Sequence, residues 1–74
     1  GYGVIWQDAR SGQSEIYFRE LNSAGAPVGE ELKISDSVSD CRAPSLVHKG
    51  SEYAASWQMG PIQTQVIQFR RFAP

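Results

Sequence analysis

Three runs follow one another at the start of the chain: Tyr2-Gly-Val-Ile-Trp-Gln7, then Asp8-Ala-Arg-Ser-Gly12, then Glu15-Ile-Tyr-Phe-Arg-Glu-Leu21. The first is aromatic and β-branched, and it stops at a polar segment ending in glycine, which reads as a strand entering a turn. The third is a second strand, with Ile16 and Phe18 on one face and Tyr17, Arg19 and Leu21 on the other. The decisive property of this strand-turn-strand unit is that it recurs.

Shifted by 51 residues, Tyr2–Ser23 lies on Tyr53–Pro74 without a gap. Tyr2 meets Tyr53, Trp6 meets Trp57, Gln7 meets Gln58, Ile16 meets Ile67, Phe18 meets Phe69 and Arg19 meets Arg70. Those are six identities in twenty-two positions, where average residue usage gives about one or two by chance. Leu21 against Phe72 keeps the apolar character, while Asp8/Met59, Arg10/Pro61 and Gly12/Gln63 do not match. The second copy is a degenerate one.

The remainder of the period is also strand and turn. Asn22-Ser-Ala-Gly-Ala-Pro27 is turn chemistry, because Asn and Gly tolerate positive φ and Pro fixes its own. Val28–Ser35 sets Leu32 and Ile34 on one face against Glu31 and Lys33 on the other, which suits an outer strand with one solvated face. Asp36–Arg42 reads as a polar loop, and Pro44 can only start or edge a strand. Ser45–His48 is then a short strand turning through Lys49-Gly50-Ser51 into Glu52–Gln58, and Gln65–Phe72 repeats the second strand. No 11-residue window keeps an apolar face at the helical period, and Gly or Pro punctuates the chain throughout.

Four strands of 5–8 residues in a period of about 50 describe a blade of an antiparallel β-propeller. The expected fold is therefore all-β, about one and a half four-stranded blades in a single propeller fragment spanning 1–74. Residues 1–44 supply the last three strands of one blade and 45–74 the first three of the next. Small Ala54, Ala55 and Ser56 suit packing near a propeller axis, and Tyr53 and Trp57 are expected between blades. The chain opens at Gly1-Tyr2 and its only methionine is Met59, which reads as a piece of a longer protein.

Trp6-Gln-Asp8-Ala-Arg10-Ser-Gly12, Ile16-Tyr17, Leu21-Asn-Ser-Ala-Gly25, Arg42-Ala-Pro44-Ser-Leu, Tyr53 and Trp57 together resemble a bacterial β-propeller repeat. That repeat reads W-x-D-x-R-x-G, I-Y-x-x-R-L, a G-x-P turn and x-x-P-x-[LIV] before the next W, and is similar to sialidase-like and TolB-like propellers. The resemblance covers essentially the whole chain, although Met59, Pro61, Gln63 and Gln68 depart from it in the second copy. It implies a bacterial secreted, cell-surface or periplasmic protein. It implies no reaction, since the repeat is defined by structural positions. The sialidase Asp-box reads differently, and no arginine triad with a tyrosine nucleophile is present.

Site chemistry is sparse. Asp8 and Arg10 could grip a ligand at a propeller rim, and Trp6 and Trp57 could stack on a sugar ring. The stronger reading of all four is structural: Asp8 accepts from turn N–H groups, Arg10 braces the loop or a neighbouring strand, and the tryptophans are core residues at equivalent repeat positions. Asp36 and Asp40 flank Ser37-Val-Ser39, yet calcium needs six to eight oxygens. His48, at a hairpin tip, has no nucleophile elbow near Ser45, Ser51 or Ser56. Glu15, Glu20, Glu30, Glu31 and Glu52 read as solvated strand faces, and Cys41 as a loop spectator.

Composition closes off other classes. A net charge of −1 with seven Lys and Arg spread along the chain gives nucleic acid or an anionic membrane no electrostatic handle. No apolar run approaches the roughly 20 residues of a spanning helix. One cysteine and one histidine leave no disulfide framework, zinc site or other cofactor constellation. The expected function is a non-catalytic propeller repeat unit, a scaffold for protein or carbohydrate binding. The rival is a fragment of a glycosidase- or sialidase-like propeller hydrolase whose catalytic residues lie outside this chain. Six strands in 74 residues bury too little to stand alone comfortably. The expected partner is another copy of the chain, completing blades, or the rest of a larger propeller.

Overall fold

A computed structural model of the chain describes residues 1–36, 39–61 and 64–74. Gln63 of the second repeat copy, and Ser37 and Val38 of the polar loop, lie outside the described residues. The described residues form six strands: β1 (Tyr2–Asp8), β2 (Glu15–Leu21), β3 (Pro27–Lys33), β4 (Cys41–Lys49), β5 (Glu52–Met59) and β6 (Val66–Phe72). They build two three-stranded antiparallel sheets, in the orders β1-β2-β3 and β4-β5-β6. The fold is all-β.

Each sheet is a meander of neighbours joined by short turns, the cheapest way to pair strands of this length. The turn after β1 closes with the Gly12 N–H donating to the Ala9 carbonyl (2.9 Å), and Gly12 takes φ +91°, which a side chain would oppose. After β2, the Asn22 side-chain oxygen accepts from the N–H groups of Ala24 and Ala26, closing the turn locally.

The register of the first hairpin reappears in the last. Tyr2 pairs with Leu21, Ile5 with Phe18 and Asp8 with Glu15. Tyr53 pairs with Phe72, Ser56 with Phe69 and Met59 with Val66. Each of these β5–β6 pairs lies 51 residues beyond its β1–β2 counterpart.

Residues paired across a ladder share a face, so the registers also define how the sheets meet. The first sheet turns Gly3, Ile5, Ile16 and Phe18 inward. The second turns Leu46, Tyr53, Ala55, Trp57 and Phe72 toward them, and β1 and β2 lie against β4. Phe18 is the centre of the seam, 4.7 Å from the Tyr53 ring and 4.9 Å edge-on to Phe72. Gly3 makes this approach possible. A Cβ there would fall 2.6 Å from Tyr53 Cε1 and 2.8 Å from Phe18 Cε1, closer than carbon atoms pack.

Backbone ties stitch one end of the seam. Cys41 N–H donates to the Ser14 carbonyl across the seam (2.8 Å), and Gly60 N–H donates to the Asp40 carbonyl (3.1 Å), extending the β4–β5 ladder beside it. Ser14 N–H in turn donates to Asp40 Oδ1 (2.8 Å).

Three sequence expectations need correction. The strand expected at Ser45–His48 begins at Cys41, because a bulge between Arg42 and Ser45, with Ala43 at φ +54°, absorbs Pro44 without ending the ladder. Cys41 is therefore a buried seam residue and not a loop spectator. Glu15 is likewise buried where a solvated face was expected.

Candidate functional site

The best-developed polar constellation grows from the turn after β1. Ladder geometry places Trp6 and Asp8 on the outer face of the first sheet, with Tyr17 opposite Trp6. The Trp6 Nε1–H donates to Asp8 Oδ2 (3.3 Å), and the Arg10 backbone N–H donates to Asp8 Oδ1 (2.8 Å). The Arg10 guanidinium returns to Asp8 Oδ2 (2.8 Å) and reaches across β2 to Glu31 Oε1 on β3 (2.9 Å). On the way it lies 4.1 Å from the centre of the Tyr17 ring, which itself stacks with Trp6 at 6.0 Å.

The electrostatics follow from these bonds. The Arg10 guanidinium, with the Arg10 backbone N–H, holds the Asp8 carboxyl down to about 2. Glu31 is lowered by its bond to Arg10, and Arg10 is raised by Asp8 first and Glu31 second. Asp8, Arg10 and Glu31 are thus each turned toward another member of the cluster. The spacing Trp6, Asp8, Arg10, Gly12 is what lets one carboxylate serve an indole, a turn amide and a guanidinium.

A second polar group lies one strand over. Buried Glu15 accepts from Gln13 Nε2 (2.8 Å) and the Ser35 hydroxyl (3.2 Å) and pairs with Lys33 Nζ (3.1 Å). Burial pushes its carboxyl up, and the bonds from Gln13, Lys33 and Ser35 outweigh that and leave it lowered. The Ser35 hydroxyl also accepts the Ile16 N–H (2.8 Å). Glu15, expected on a wet face, is instead buried and fixed by partners.

At this same end of the molecule the loops enclose an open cleft of about 470 Å³ lined by Gly12, Gln13, Ser39, Asp40, Arg42 and neighbouring backbone. Arg42 Nη2 donates to the Gly60 carbonyl across it (2.7 Å). Arg42 was not singled out from sequence, since its role depends on β4 starting four residues earlier than the proline suggested.

The other sequence candidates separate. Trp57 packs between the sheets, whereas Trp6 is half-buried on the outer face. The Trp57 indole N–H has no partner among the described residues. Met59 stands where Asp8 serves Trp6, which accounts for the orphan. Asp36 is exposed, and Asp40 is tied to Ser14. His48 stacks on Tyr53 at 4.2 Å, with Nε2 2.7 Å from the Gly50 carbonyl oxygen. Among the described residues no group of three or more His, Cys, Asp and Glu side chains could hold a metal ion.

These features define the class: an all-β chain of two packed three-stranded meanders, with an ion-paired cluster on one outer face. No family model matches the chain, and no curated protein or solved structure is significantly similar to it.

Proposed function

We propose that the chain is a non-catalytic repeat unit of a β-propeller from a bacterial secreted, cell-surface or periplasmic protein, where it serves as a scaffold for protein or carbohydrate binding. The observation that carries the reading is the shared register of β1–β2 and β5–β6 at an offset of 51 residues. Two like hairpins in successive face-packed sheets suit successive blades. The bacterial, exported origin rests on the Trp6-x-Asp8-x-Arg10-x-Gly12 motif and its companions. The non-catalytic part is supported by how the charged groups are spent. Asp8, Arg10 and Glu31 serve one another, and Glu15 is held by Lys33, Ser35 and Gln13.

A paired assay tests this. The labelled chain is applied to glycan and peptide arrays and, separately, incubated with a panel of chromogenic glycosides. Retention on particular array features without turnover is expected. An array with nothing retained would remove the scaffold role, and turnover would remove the non-catalytic one.

A further inference from the structure

The two sheets do not end the stacking they begin. Inside the chain the inner face of the first sheet, built on Ile16 and Phe18 (both 0% exposed), covers the inner face of the second, built on Tyr53 (1%) and Trp57 (5%). By the 51-residue correspondence of the ladders, Ile67 and Phe69 on the outer face of the second sheet occupy the positions of Ile16 and Phe18. They are 68% and 66% exposed. On the outer face of the first sheet, Tyr2, Val4 and Trp6 occupy the positions of Tyr53, Ala55 and Trp57. Tyr2 is 58% exposed. Each open face therefore repeats the hairpin part of the buried seam, β5–β6 on one side and β1–β2 on the other, while β4, which packs against β1 and β2 inside the chain, has no counterpart in the first sheet.

We infer that the outer face of the second sheet docks on the outer face of the first sheet of a second copy of this chain, head to tail. The register assigns the contacts. Phe18 meets Tyr53 and Phe72 within the chain, so Phe69 meets Tyr2 and Leu21 of the second copy. Trp6 then serves as a packing surface, as Trp57 does, and not as a sugar platform. The open faces depart from the buried seam at several positions: Ser56 replaces Ile5 on the second sheet, and Val4, Asp8, Tyr17 and Leu21 replace Ala55, Met59, Gln68 and Phe72 on the first. Arg71 replaces Glu20, and its charge is taken up by Glu52 (3.4 Å). Ala54 replaces Gly3, where a Cβ crowds the tyrosine. The docked tyrosine must shift past that methyl, which weakens the contact without abolishing it. Because the two surfaces differ, the association is heterologous and propagates into a ring or a filament. The inference rests on reading the chain as a repeat unit, and it places partner sheets face to face.

Sedimentation of the full chain over about a hundredfold range of concentration tests it, with circular dichroism confirming that each variant is folded. The wild type is expected to associate. Val4→Glu and Phe69→Glu, each at an exposed site on a different face, are each expected to weaken association by about tenfold or more. Mixed one to one, the two variants retain one good face each and form a dimer that grows no further. Ala54→Gly is expected to tighten association of the otherwise unchanged chain. A folded wild-type monomer throughout, or a mixture that stays monomeric, overturns the docking; so does Phe69→Glu associating as the wild type does. None of these results touches the array test, so failure of the docking and failure of the scaffold reading are separable.

Discussion

Ser35 shows how much one short side chain carries in a molecule this small. Its hydroxyl, 2% exposed, accepts the Ile16 N–H and donates to Glu15, joining the end of β3 to the buried start of β2. Ser35→Ala leaves that N–H without its acceptor and Glu15 Oε2 with Lys33 alone, and is expected to cost about 1–3 kcal/mol by urea denaturation. Asp8 gives the pH counterpart. Its folded value of about 2 lies below the ordinary 3.8. Its contribution is therefore complete above roughly pH 4 and lost as pH falls toward 2. Glu15 and Glu31, also lowered, act with the same sign. The urea midpoint is expected to be level near neutrality and to drop between about pH 4 and 2, with a smaller drop in Asp8→Asn. Because the Asp8–Arg10–Glu31 cluster is exposed, added salt should shrink the effect.

Among the elements, β2 and β6 make an internal control. They have matching registers and identical residues at two apolar positions, yet those residues lie inside the seam in β2 and outside it in β6. Phe18→Ala is expected to cost about 3–5 kcal/mol, enough to threaten folding outright. Phe69→Ala in the dissociated chain should stay within about 0.5 kcal/mol. Thermal melts of the two variants at low concentration check the contrast. These two strands also mark what the sequence discloses. The alternation in Glu15–Leu21 fixes the strand and its buried face, because period-two patterning depends only on local geometry. The same pattern in β6 is equally clear, but whether its apolar face is covered depends on what packs against it. The start of β4 was hidden for another reason: Pro44 reads as a boundary, and only a bulge with Ala43 in the left-handed region makes it an interior residue. In the polar cluster, the residues were legible from spacing. The reach from Arg10 to Glu31 was not, because it requires β3 to lie beside β2 in a particular register.

For the whole molecule the governing quantity is how little the seam buries. Two sheets extending 40 × 24 × 15 Å share one apolar interface, and β3 and β6 each offer a free edge. Such a chain has a small stability margin. Association through the open faces adds to that margin by mass action, so the melting temperature is expected to rise with protein concentration. The rise should vanish in Phe69→Glu, a comparison that differential scanning fluorimetry makes directly. Cys41 adds a consequence of another kind. Its thiol is sealed in the seam, with its own amide tied to Ser14 on the facing sheet. A maleimide can reach the sulfur only when the sheets part, and the chain has no other thiol to confuse the signal. The protein therefore carries a built-in clock: the rate at which this one atom is alkylated counts the openings of the interface between the two sheets.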